Sequence, residues 1–227
     1  MRIPEMALSD FLKATPMVDA DHPAVAAYTA RQIAGVRGDQ ARATALYYAV
    51  RDGIRYDGYA LELTARGLSA SHTLERGRGW CVSKAVLLAA CCRAAGIPAR
   101  LGYADVKNHL STARMRQLMG TDEFYWHGYT DIFLNTWVKA TPAFNIELCQ
   151  KFRLKPLEFD GTADSLYHPF DEDGRQHMEY LRYRGEFAEV PLVEIKRDFA
   201  AHYPHLTELT QGNFDLEVER ETAWSAR

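Results

Sequence analysis

Trp80-Cys81-Val82-Ser83-Lys84-Ala85-Val86-Leu87-Leu88-Ala89-Ala90-Cys91-Cys92-Arg93-Ala94-Ala95-Gly96 decides how this chain folds. From Cys81 to Ala95 only Ser83, Lys84 and Arg93 are polar. A helix apolar on nearly every face has no side to offer water, so it must be central and covered from several directions. Gly96 suits the left-handed position that ends such a helix, Pro98 blocks its continuation, and Ala99 to Tyr103 starts a strand. The stretch is thus a buried helix feeding a sheet.

Upstream, Asp19-Ala20-Asp21-His22-Pro23 reads as a helix start with an acidic cap and proline at the first helical position, the helix running to about Val36. Gly35 and Gly38 break it. A second helix, Ala41 to Asp52, carries Leu46 and Val50 on one face and ends at Gly53. Ala65 to Gly79 is rich in Gly, Ser and Arg without helical periodicity, and reads as a loop. Downstream, Leu110-Ser111 followed by Met115 has the spacing of a hydrophobic staple around a serine cap, predicting a short helix over Thr112 to Met119 closed by Gly120. Tyr125 to Leu134 and Trp137 to Thr141, joined at Asn135-Thr136, form a β-hairpin. Turns at Asp160-Gly161 and Asp173-Gly174, a strand over Met178 to Tyr183 and a last helix from Pro191 follow. Helices first and mainly antiparallel strands afterwards make an α+β chain.

The 227 residues are 47% hydrophobic and 25% charged, enough for a sizeable core. A net charge of −3 gives no attraction for nucleic acid or an anionic membrane. Glu5 and Asp10 interrupt what a signal peptide would need, and no later run approaches membrane-spanning length, so the expected location is cytoplasmic. Four cysteines, two adjacent, make no disulfide framework. No H-E-x-x-H or paired C-x-x-C occurs and Gly77-x-Gly79 lacks the rest of a dinucleotide motif, so no cofactor or metal is implied. Asp171-Glu172-Asp173-Gly174 lacks the alternating ligands of a calcium loop and reads as a solvated turn, and Arg114 and Arg116 read as solvent-facing.

A cysteine opening a helix sits where free backbone N–H groups and the positive end of the dipole stabilise thiolate, so Cys81 is the candidate nucleophile. The glycines of Gly77-Arg78-Gly79 permit a sharp approach to it, and N–H groups there are candidate oxyanion donors. His127, inside a predicted strand, is the candidate base, because a sheet fixes its direction better than a loop does. Cys91, Cys92 and Cys149 read as core.

Gly79-Trp80-Cys81, the apolar helix and Cys92-Arg93-Ala94-Ala95-Gly96-Ile97-Pro98-Ala99-Arg100 resemble the nucleophile segment of the transglutaminase-like superfamily. His127 followed by Trp137, and Tyr48 to Tyr56 upstream, are similar to its histidine strand, next strand and preceding helix. The resemblance covers about residues 36–145, roughly half the chain. It implies a papain-like, transglutaminase-like core in which the cysteine-bearing helix packs on an antiparallel sheet, with residues 1–227 as one domain and 146–227 as an extension packed on the core. It also implies attack by Cys81 on a carboxamide or other acyl carbonyl, with His127 moving the proton. The third position, where the family has an aspartate, is Thr141. Threonine cannot stabilise imidazolium by charge. Asn145 is a second candidate orienter, and Asp131, about 13 Å along the strand from His127, is too far for direct contact. The expected function is acyl transfer through a thioester on a peptide, protein or small-molecule amide, with hydrolysis ahead of cross-linking because no region for choosing an amine acceptor is recognisable. The alternative, motivated by Thr141, is a catalytically impaired fold serving as a peptide-binding or assembly module.

Overall fold

The structure, a computed structural model, describes residues 7–108, 111–166, 174 and 178–224. Residues 1–6, Leu110 of the staple and the acidic turn at 171–173 lie outside the described residues. After a 3₁₀ turn at Leu8–Leu12, helices α1 (Pro23–Gln32) and α2 (Asp39–Gly53) follow as read, although α1 stops before Val36. Its cap is His22, whose Nδ1 accepts from Ala24 N at 3.2 Å, rather than an aspartate. Asp19 instead accepts from Ser71 N.

The segment expected to be a loop holds structure. Strand β1 (Arg55–Tyr56) pairs in parallel with β2 (Arg78–Gly79), and helix α3 (Ala70–Arg76) lies between them. Ser69 Oγ caps α3 by accepting from His72 N, and Gly77 closes it at φ 62°. Seven residues make too few turns for periodicity to show in sequence. Helix α4 (Cys81–Ala94) then runs through the centre, buried from Cys81 to Arg93.

Strands β3 (Ala99–Asn108), β4 (Glu123–Leu134), β5 (Thr136–Ala140) and β6 (Met178–Phe187) form one antiparallel sheet in the order β5-β4-β3-β6. Asn135, at φ 68°, makes the tight turn between β4 and β5. Between β3 and β4 stands α5 (Ala113–Met119), capped by Thr112 rather than Ser111: the threonine Oγ1 accepts from Met115 N. Arg114 is tied to the C-terminal region, donating to Glu208 O and lying 3.6 Å from Glu217, so it is not simply solvent-facing. Helix α6 (Ile146–Phe152) was not expected, and the helix after Pro191, α7 (Leu192–His202), is followed by α8 (Leu206–Leu209) and α9 (Phe214–Trp224). Among the described residues no helix is long and apolar enough to cross a membrane.

Helices α1, α2 and α3 cover α4 on one side and strands β3 and β4 on the other. Its two buried basic side chains are satisfied by main-chain carbonyls. Arg93 donates to Ala99 O, Lys13 O and Ala188 O, joining the N-terminal segment and the sheet to the end of α4. Lys84, with no exposed surface, donates to Arg51 O and Ile54 O at the end of α2. Burial drives its pKa down to about 7, opposed by the charge of Asp52. A neutral amine still carries two N–H donors for these two carbonyls.

Lys84→Met leaves two buried carbonyls without donors, and the unfolding free energy in urea is expected to fall by about 2–4 kcal/mol. A lysine in the unfolded chain titrates near about 10.4. Between about 7 and that value the folded protein therefore binds fewer protons than the unfolded chain, so this residue's contribution to stability rises with pH across the window. The stability difference between wild type and Lys84→Met should grow in that direction, and a flat difference from pH 7 to 10 would contradict a neutral buried amine.

Candidate active site

Glycine-dependent close approaches shape the sheet and the surroundings of Cys81. Gly79 abuts the first turn of α4, where a Cβ would lie 2.3 Å from Ser83 Oγ. Gly128 meets the same turn from the sheet, where a Cβ would lie 3.0 Å from Val82 Cα and 3.4 Å from Val82 N. Gly58 sits against Met115, and Gly102 lies under the Tyr129 ring. Gly128 lets the start of α4 reach the main chain of β4 directly, one residue from His127. Glycine inside a strand signals close backbone approach, so Gly128 was legible as part of the site and was missed.

Cys81 and His127 line one cavity and are 8% and 6% exposed. The cavity is narrow, about 50 Å³, and opens to solvent at its mouth. Leu61, Met115, Met119, Phe144, Phe199 and Leu206 make much of its wall, and among the described residues no carboxylate, lysine or arginine lines it. Helix α5 thus borders the cleft through two methionines. Phe199 also packs on Trp80, with ring centroids 5.9 Å apart.

The helix N-terminus does not leave Cys81 as a thiolate. Burial pushes its pKa up to about 11, against hydrogen bonds from the backbone of Gly128, Val82 and Cys81 itself. The amides gathered at the sulfur are therefore those of α4 and β4 rather than of the Gly77–Gly79 turn. The other three cysteines are free, buried thiols raised further still by burial.

The candidate orienters are dispersed. β5 ends at Ala140, which pairs with Thr130, and Thr141 follows it with its amide donating to Ser165 O at 3.1 Å. The Thr141 hydroxyl is buried and has no hydrogen-bond partner among the described residues. Asn145 is committed elsewhere: its Oδ1 accepts from Tyr56 N at 3.0 Å and its Nδ2 donates to Glu147 at 2.6 Å. Asp131 pairs with Arg100 at 2.7 Å. Sequence reasoning also missed Asp105, Trp126, Arg184 and Asp198, a partly buried cluster beside His127, because its members lie on four separate elements. Among the described residues no group of three or more His, Cys, Asp or Glu side chains is placed to hold a metal ion.

Residues 26–142 match the family model of the transglutaminase-like superfamily. No curated protein matches the chain. A solved structure described as a candidate cysteine protease from Cytophaga hutchinsonii is similar at 19% identity and a TM-score of 0.46. The likeness covers 62% of this chain, which spans 44% of that one.

Iodoacetamide should modify Cys81 of the resting protein more slowly at pH 7–8 than it does a free thiol, with the rate still rising toward pH 11. A plateau reached below pH 8 would show a preformed thiolate instead. Gly128→Ala should lower stability by about 1–3 kcal/mol, because its methyl group meets the backbone of Val82.

Proposed function

Since this chain belongs to the transglutaminase-like superfamily, we propose that it is a cysteine-dependent acyl-transfer enzyme with Cys81 as nucleophile and His127 as base. One observation carries the reading: the cysteine that begins a wholly buried helix and the strand histidine line the same cavity. Because the resting sulfur is a neutral thiol, the imidazole takes its proton as the sulfur bonds to the acyl carbon. The tetrahedral intermediate then collapses, its C–N bond breaking as the imidazolium returns that proton to the departing amine. A thioester remains on Cys81. Water, losing a proton to the imidazole, attacks it and releases the acid and the thiol.

Hydrolysis is the preferred outcome in this reading. The walls of the cavity favour an apolar substituent on the acyl group, since a charged one would lose its hydration without gaining a partner among the described lining residues. Thr141 is the third member, its buried hydroxyl available as an acceptor when the ring is protonated. Without a charge it supplies less than a carboxylate would. Four free cysteines support a cytoplasmic setting, and the pairing of β6 with β3 supports a single domain over residues 1–227.

Acyl p-nitroanilides differing only in the acyl group provide the test. Alkyl and aromatic acyl groups should show at least tenfold higher kcat/KM than carboxylate- or ammonium-bearing ones of the same length. Cys81→Ala should abolish turnover, His127→Ala should reduce kcat by about 10²–10⁴, and Thr141→Ala should change it less than tenfold. Peptide binding that survives Cys81→Ala, with no turnover of any acyl donor by wild type, would replace the enzyme with a binding module.

A further inference from the structure

Asp105 on β3 is flanked by bulges on both sides. Toward β4, Ala104 pairs with His127 and Val106 with Phe124, so Tyr125 and Trp126 together oppose Asp105. Toward β6, Arg184 is inserted between the pairs Tyr103–Gly185 and Ala104–Tyr183, and Leu181 between the pairs Asp105–Arg182 and Val106–Tyr180, so an irregularity stands on each side of the Ala104–Asp105 step. A bulge removes ladder hydrogen bonds and leaves polar groups to be satisfied otherwise. Here the Asp105 carboxylate does so: Oδ1 accepts from Trp126 N at 3.1 Å, and its two oxygens accept from Arg184 Nε at 2.8 and 2.9 Å.

Trp126 has φ 62°, a left-handed conformation that a bulky side chain adopts only when its surroundings impose it. Three separate grips impose it. Asp105 holds its amide, Asp198 on α7 accepts from its indole Nε1 at 2.9 Å, and the Arg184 guanidinium lies 4.5 Å from its ring centroid. Arg184 links the other two, since its Nη1 also donates to Asp198 at 2.5 Å. The residue after Trp126 is His127, so the torsions fixed here set the direction in which the imidazole leaves the strand.

We propose that Arg184 is a positioning residue: with Asp105 and Asp198 it holds Trp126 in its left-handed conformation and thereby directs the His127 ring toward Cys81. The proposal rests on the reading of Cys81 and His127 as the reacting pair. It acts through the main chain, whatever hydrogen bonds the ring itself makes. Arg184 and Asp198 both lie outside the 26–142 family match, so the C-terminal part of the chain completes the geometry of the histidine.

The test uses histidine-labelled full-length protein and the NMR signal of the His127 imidazole, assigned with His127→Asn. In the wild-type background, Cys81→Ala should displace that signal, because the ring loses its neighbour. With Arg184→Gln the displacement should fall by at least half, while the exposed neighbour substitution Arg182→Gln leaves it unchanged. Asp105→Asn keeps an oxygen that can accept from Trp126 N and should retain more of the displacement than Asp105→Ala. If Arg184→Gln does not fold, this Asp105 pair provides the same comparison. A folded Arg184→Gln protein of lowered Tm with the full displacement would show a merely structural ion pair and overturn the proposal. A signal that Cys81→Ala displaces in no background would overturn the reacting pair itself, a result distinct from failure of the clamp.

Discussion

Helix α4 buries every residue from Cys81 to Arg93, and a helix without a solvent face has to be enclosed before anything else in the chain can be placed. Three helices close one side and two strands the other. The enclosure fixes the site as a by-product, because the first residue of α4 then abuts the main chain of β4 at Gly128, beside the histidine. Its polar exceptions reinforce the arrangement: Lys84 holds the end of α2, and Arg93 draws together carbonyls from three separate parts of the chain.

The same burial sets the chemistry. A cysteine at a helix N-terminus is ordinarily acidified by the dipole, yet here the loss of hydration outweighs the backbone hydrogen bonds to sulfur, and the thiol stays protonated at rest. In the proposed reaction, proton removal therefore belongs to the bond-forming step. That places more demand on the position of the proposed base, because the proposed third member, Thr141, carries no charge and has no hydrogen-bond partner among the described residues.

Much of what surrounds the histidine comes from beyond the family match. Strand β6 brings Arg184, α7 brings Asp198 and Phe199, and Leu206 of α8 adds to the cavity wall. The region after residue 142 is thus built into the same sheet and the same cavity as the cysteine and histidine.

Sequence alone determined the buried helix, the hairpin and the α+β order, because each is encoded locally by an apolar run or by a β-branched strand with a tight turn; it also singled out Cys81 and His127, which the fold brings to one cavity. Helices α3 and α6 were too short for periodicity to reveal, and the caps at His22 and Thr112 depended on which neighbouring side chain reached the free amide. Tertiary structure decided the protonation of the thiol, since desolvation is a property of the assembled core. It also decided the Asp105–Trp126–Arg184–Asp198 cluster. Those residues lie on β3, β4, β6 and α7, and they meet where bulges toward β4 and β6 fall at and beside Asp105.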